Sequence, residues 1–183
     1  MIDQIVIHTC CADCLLNFIK YLEEEDLVNR STKIISFFYN PNIQPRSEYL
    51  ERLNAVKKVI SEQLKDRDIQ LVIPEYRPKE FFENIKGKNN RCGICWELRI
   101  KKTFEYAKSQ NVPCVSTTLL SSHYQDREEI IKIGEKEESE DTKFVYPQKP
   151  HEQLKTSGFY KQNFCGCCYS LTQRMWEKYI KEN

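Results

Sequence analysis

The sequence predicts an α/β chain: a mostly parallel sheet with helices on both faces. Two observations carry this. Short β-branched runs alternate along the chain with longer segments whose apolar residues recur at helical spacing. The 183 residues suffice for one domain with a real core, and no repeat, low-complexity stretch or linker divides residues 1–183.

The elements follow in order. Gln4–His8 reads as a short buried strand, rich in Ile and Val. A cysteine-bearing turn follows, then a helix over 15–22, with Cys14 on its first turn, three residues after Cys11 and on the same face. Residues 33–39 form the second strand. Two prolines, Pro41 and Pro45, mark a loop over 40–45, because each favours extended backbone before it. A helix over about 46–64 repeats Tyr49, Leu53, Val56 and Ile60 on one face. The third strand is 69–73, ended by Pro74. A short helix over 79–85 and a Lys/Asn-rich loop over 86–91 come next. The helix from Cys92 to about Ser109 aligns Trp96, Ile100, Phe104 and Ala107. Residues 112–119 read as the fourth strand, which places Cys114 in the core. The charged stretch 126–141 is a solvated helix and turn, 144–146 a further short strand, and 170–180 an amphipathic helix carrying Leu171, Met175, Trp176 and Tyr179.

The net charge is +1, too small for a global field that attracts nucleic acid or membrane, so any such partner needs a local patch. No run is as long as a transmembrane helix, and the first residues lack the basic start and apolar stretch of a signal peptide. A cytoplasmic protein is expected.

Nine cysteines give the chain its chemistry. Eight fall into three groups: Cys10, Cys11 and Cys14; Cys92 and Cys95; Cys165, Cys167 and Cys168. In a reducing compartment such groups point to metal binding or redox work more than to structural disulfides. The first group ends a strand, where ligands bind in open α/β sheets, and the other two open helices, whose partial positive charge favours thiolates. The Cys92/Cys95 pair alone fits a thioredoxin-like couple, but that leaves six grouped thiols without a role. A structural zinc ion takes four thiolates, fewer than are present. Adjacent cysteines suit an iron–sulfur cluster or two neighbouring metals. Asp13, inside the first group, is either a hard ligand to a second metal or an N-cap, and spacing does not separate these.

Residues 8–14 (His-Thr-Cys-Cys-Ala-Asp-Cys), 39–43 (Tyr-Asn-Pro-Asn-Ile), Glu48 and Tyr49 with Arg52, residues 92–95 (Cys-Gly-Ile-Cys) and 165–170 (Cys-Gly-Cys-Cys-Tyr-Ser) together resemble the QueH-type, cobalamin-independent epoxyqueuosine reductases. The resemblance runs from Ile5 to Ser170. It implies a Rossmann-type, nucleotide-α-hydrolase-like sheet. It also implies a 4Fe–4S cluster beside a mononuclear iron, with no cobalamin. The implied ligands are Cys10, Cys11, Asp13, Cys92, Cys95, Cys165 and Cys167. Cys11, Cys92 and Cys95 would hold the cluster, and Cys10, Asp13, Cys165 and Cys167 the second iron, with Cys10 and Cys11 open to exchange. Cys14 and Cys168 are thiols beside the ligands or a redox pair. The implied reaction removes the epoxide oxygen of epoxyqueuosine at the tRNA wobble position, with two electrons and two protons, the oxygen leaving as water. Asp13 would hold the iron that polarises that oxygen. Tyr39, Tyr169, His8 and His123 are proton-donor candidates by residue type.

For RNA, Lys143, Lys149, Lys155 and Lys161 interleave with Phe144, Tyr146, Phe159 and Tyr160, while Lys86, Lys88 and Arg91 precede the second cysteine group. Aromatic faces for bases with cations for phosphates are what a single-stranded RNA site uses. Lys155, Lys161 and Tyr160 are the contacts expected nearest the metals. The partners are then tRNA and an unidentified electron donor, with no membrane. Two alternatives remain: a reductase of the adenylyl-sulfate type, which pairs a tandem cysteine and a later CxxC around a cluster, and a non-catalytic iron–sulfur electron-transfer module. The third cysteine group and the lack of a glycine-rich phosphate loop fit the first poorly; the surplus thiols and Asp13 argue against the second.

Overall fold

A computed structural model describes residues 2–122, 124–148 and 156–182. Five parallel strands form one sheet: β1 (Gln4–His8), β2 (Lys33–Phe37), β3 (Ile69–Val72), β4 (Cys114–Thr117) and β5 (Lys143–Phe144), in the order β3-β2-β1-β4-β5. That order is the doubly wound, Rossmann-like one. Val6 in the central strand is in register with Ile35 on one side and Val115 on the other.

Side-chain alternation divides the core in two. Ile5, Ile7 and Ile34 pack with Leu15, Phe18, Leu53 and Val56 of helices α1 (Ala12–Glu24) and α2 (Arg46–Glu62). Val6, Ile35 and Val115 pack with Ile100, Phe104 and Ile130 of α4 (Arg91–Ser109) and α5 (Arg127–Lys136) on the other face. The short α3 (Pro78–Ile85) buries Phe81 and Ile85 against Cys95.

Several elements differ from the sequence expectation, each for a local reason. α1 begins at Ala12, earlier than expected, because Leu15 N–H already bonds to Cys11 O at 3.1 Å. Asp13 is therefore inside the helix and is not its cap; Cys11 stands at the cap position. The fourth strand stops at Thr117, whose hydroxyl accepts from Leu119 N–H and turns the chain into a 3-10 turn over Thr118–Ser121. Cys114 begins β4 and is only half-buried, short of the core position expected for it. The last helix, α6 (Cys168–Glu182), joins neither core, and Met175, Trp176, Tyr179 and Ile180 stand 65, 60, 60 and 70 % exposed. Among the described residues no helix is long and apolar enough to cross a membrane. His123, Lys149 and Lys155 lie outside the described residues.

One close approach fixes a residue identity. A Cβ on Gly134 of α5 would fall 2.3 Å from the ring of Phe144 in β5. Gly134→Ala gains helix propensity of about 1 kcal/mol but overpacks a buried ring, which costs about 1–3 kcal/mol. The expected result in urea unfolding is a lower midpoint at unchanged slope. An unchanged or raised midpoint would show that α5 shifts freely over β5.

Candidate metal centre

The centre is built outward from the end of β1. His8 is fully buried there, with its Nε2 donating to Tyr39 O and its Nδ1 accepting from the Thr117 hydroxyl, both at 3.0 Å. One ring thus ties β1 to β4 and to the segment after β2. Burial, with the nearby Arg99 charge adding, pushes its pKa down to about 3, so the ring is neutral and structural. Thr9 N–H bonds to Phe37 O at 2.9 Å, and Asn40 Nδ2 holds Thr9 O at 2.8 Å. The backbone leaving β1 is therefore fixed on both sides just before Cys10.

Three thiols follow. The Sγ atoms of Cys10, Cys11 and Cys14 all lie within 4.8 Å of one another, and all three residues are buried. The strand-to-helix turn places Cys10 and Cys11, and the first turn of α1 brings Cys14 round beside them. Thr118 accepts from Cys10 N–H at 3.1 Å and donates to Cys10 Sγ at 3.3 Å. The Cys11 and Cys14 thiols, followed by Thr118, hold Cys10 well below the usual thiol range. Cys11 and Cys14 move up in turn, because each shares its proton with the Cys10 sulfur. The trio thus carries one preferred thiolate.

The third group forms a similar pair. Cys165 Sγ lies 3.6 Å from Cys167 Sγ and 3.0 Å from Ser170 Oγ. The Cys167 thiol first, with Ser170 and Arg99 helping, draws Cys165 down to about 5. Cys167 rises as the partner that keeps the proton. Burial pushes Cys95 up to about 11 and raises Cys92 as well.

Two cavities of about 250 Å³ each collect these groups. The first is lined by Cys10, Cys11, Asp13, Cys14 and Cys165, with Tyr160 and Lys161 beside them. The second is lined by Cys92, Cys95, Cys165 and Cys167, with Tyr169, Ser170 and Arg99. Cys165, Phe164, Tyr124 and Gln125 belong to both. Seven of the eight grouped thiols therefore face two adjoining spaces that share Cys165. Cys168 lines neither, and its N–H is instead bonded to Gln44 Oε1 at 3.3 Å. Tyr39 also lines neither, and its hydroxyl donates to Glu80. Desolvation and that carboxylate raise its pKa above the usual phenol range.

The donor set fits a metal. Thiolates on one tetrahedral ion with bonds of about 2.3 Å sit about 3.8 Å apart; Cys10–Cys11 is 3.9 Å and Cys165–Cys167 is 3.6 Å. Asp13 Oδ1 accepts from Ser157 N–H at 2.6 Å, whereas Oδ2 is buried and has no hydrogen-bond partner among the described residues. Lys161 Nζ stands 4.0 Å from it. A buried carboxylate oxygen left bare in a thiol-lined cavity is the donor a metal would satisfy.

Sequence reasoning missed Thr118, Ser170 and Arg99. Hydroxyls carry no spacing signal, and Arg99 reads as one more charge on a long helix. It is buried, donating its Nε–H to Cys95 O at 3.2 Å, one turn above the CxxC on α4. Its position four residues after Cys95 was the available clue.

The family model described as epoxyqueuosine reductase QueH matches residues 5–173. Proteins described as epoxyqueuosine reductase QueH include one from Dehalococcoides mccartyi, 29% identical over 95% of this chain and 96% of its own length. One from Thermotoga maritima is 30% identical over 93% of this chain and 91% of its own length. One from Helicobacter pylori is 33% identical over 91% of this chain and 49% of its own length. With residues 5–173 matched, the chain belongs to the epoxyqueuosine reductase QueH family.

Proposed function

We propose that the chain acts as one catalytic domain over residues 1–183, reducing epoxyqueuosine in tRNA to queuosine. The observation that carries the reading is the buried Asp13 Oδ2, without a hydrogen-bond partner among the described residues, in the cavity that the Cys10, Cys11 and Cys14 thiols also line. The ligands are Cys10, Cys11, Asp13, Cys92, Cys95, Cys165 and Cys167, and Cys14 joins them because its sulfur lies with those of Cys10 and Cys11. When bound, a 4Fe–4S cluster would supply electrons singly and an adjacent iron would polarise the epoxide oxygen.

The chain's own residues do the rest. Burial of the first cysteine group keeps bulk water from its sulfurs. The Cys11 and Cys14 thiols favour the thiolate form of Cys10, and the Cys167 thiol that of Cys165, with Thr118 and Ser170 adding a hydrogen bond to each. Lys161 brings an ammonium to the rim of the first cavity, beside Asp13. Tyr160 lines the same cavity, and at the second the Arg91 guanidinium lies 4.4 Å over the Tyr169 ring. Stacked aromatic and guanidinium planes suit unstacked bases of an anticodon loop. Lys155, a further proposed phosphate contact, lies outside the described residues.

The decisive experiment loads the chain anaerobically with iron and sulfide, reduces it with dithionite, adds epoxyqueuosine-tRNA and weighs the released nucleosides. Loss of one oxygen atom is expected. Cys10→Ser, Cys92→Ser or Cys165→Ser should each lower the rate by more than the roughly 10–100-fold usual for groups behind metal ligands. A fully loaded chain that leaves the tRNA unchanged would sink the reading and favour an electron-transfer module.

RNA contact is tested separately. Each phosphate contact on a single strand contributes about 0.7 to the slope of log affinity against log salt. Lys155→Ala and Lys161→Ala should each weaken tRNA binding and flatten that slope by about this amount. Equal affinity to wild type at low and high salt would remove both lysines from the interface.

A further inference from the structure

The loop that carries Cys165 and Cys167 belongs to no strand, yet its backbone is held at four points between Phe164 and Cys168. Arg52 of α2 donates from Nη2 to Phe164 O at 3.1 Å and from Nη1 to Cys165 O at 3.2 Å. Gln44 N–H donates to Gly166 O at 2.9 Å. Gln44 Oε1 accepts from Cys168 N–H at 3.3 Å. Three successive carbonyls and one amide are thus fixed by two residues around the start of α2.

Arg52 is itself immobilised. It is buried, its Nε–H donates to Glu48 Oε1 at 2.6 Å, and Glu48 accepts the Tyr160 hydroxyl on its other oxygen. Glu48 and Arg52 lie one helical turn apart on α2, so the helix sets their spacing. The guanidinium also lies 5.3 Å over the Phe164 ring. Gly166 passes beneath it at φ +109°, where a Cβ would come within 3.0 Å of Arg52 Cζ and of Ile43. Glycine is the residue that tolerates both that conformation and that approach.

We propose that Arg52 is a positioning residue: with Glu48, Tyr160 and Gln44 it presents the Cys165 sulfur to both cavities before any metal arrives. The inference rests on reading the cavities as a metal centre. A bidentate guanidinium on two carbonyls and a carboxylate cannot be replaced by the point charge of lysine. Conserving charge while removing the fork therefore isolates the positioning role.

The test uses the full-length chain, purified anaerobically, as wild type and Arg52→Lys. Before loading, iodoacetamide labelling is followed by mass spectrometry at Cys165, with Cys114 as the internal reference. After loading with iron and sulfide, the rate of iron loss to a chelator is recorded. The lysine variant should label Cys165 about tenfold faster relative to Cys114, as expected for losing a charge-assisted hydrogen bond at a buried site. It should also release iron faster. Equal labelling in a variant that unfolds cooperatively would overturn the proposal. Where Arg52→Lys fails to fold, Tyr160→Phe and Gln44→Ala decide, since each removes one contact of the clamp: faster Cys165 labelling supports it, and unchanged labelling in both overturns it. Failure of the wild type to take up iron overturns the metal reading but leaves the labelling result to judge the clamp by itself.

Discussion

A doubly wound parallel sheet leaves one place where neighbouring crossovers depart to opposite faces, and here it lies between β1 and β4. The rest of the site depends on that divergence. α1 leaves β1 toward one face and α5 leaves β4 toward the other, so the crevice between the two carboxyl ends is not covered by a helix. Cys10 and Cys11 leave β1 into this crevice, and Thr118 leaves β4 to meet them. The His8 ring braces it from below, bonded to Thr117 of β4 and to the backbone of Tyr39. A neutral imidazole does this without adding a buried charge beside the thiols.

Charge is the second constraint. Thiolates and a carboxylate collected out of water repel one another unless cations share the site. Two buried arginines provide them from opposite layers: Arg52 from α2 and Arg99 from α4. They are not equivalent. Arg52 is paired with Glu48, so its charge is largely spent locally and its geometry is what reaches the cysteine loop. Arg99 has no carboxylate partner among the described residues, and its field acts on Cys95, Cys165 and His8. One arginine shapes the centre and the other offsets its negative charge.

Much of this was legible in the chain. The β-branched runs located β1, β2 and β4, because strands buried on both faces are nearly continuous in apolar residues, and short apolar runs located the more exposed β3 and β5. The three cysteine groups located the centre, because soft donors at short spacing have few other uses in a reducing compartment. What could not be read was partnership. The three-residue spacing put Cys14 on the face of Cys11, but did not show that its sulfur also lies within 4.8 Å of the Cys10 sulfur. Tyr39 looked like a proton donor by type and turned out to point at Glu80. The pattern of α6 is amphipathic, yet Met175, Trp176, Tyr179 and Ile180 on it are exposed. Periodicity states that a helix has an apolar side, not what covers it.

The sharing of Cys165 between the two cavities follows from these facts together. The first cysteine group is fixed by the sheet through β1, and the second by α4, a rigid helix packed on the other face. Neither can move toward its counterpart without disrupting the core. Only a segment outside the sheet is free to be placed between them, and the 164–168 loop is that segment. Its freedom would be a liability, because a mobile ligand pays ordering entropy on every metal binding event. Arg52 of α2 and Gln44 just before it remove that cost in advance by holding the loop's carbonyls, while the Cys165 sulfur faces both cavities. The arrangement therefore joins two immovable half-sites through one separately anchored loop, and Cys165, the one thiol that lines both cavities, is where the two halves meet.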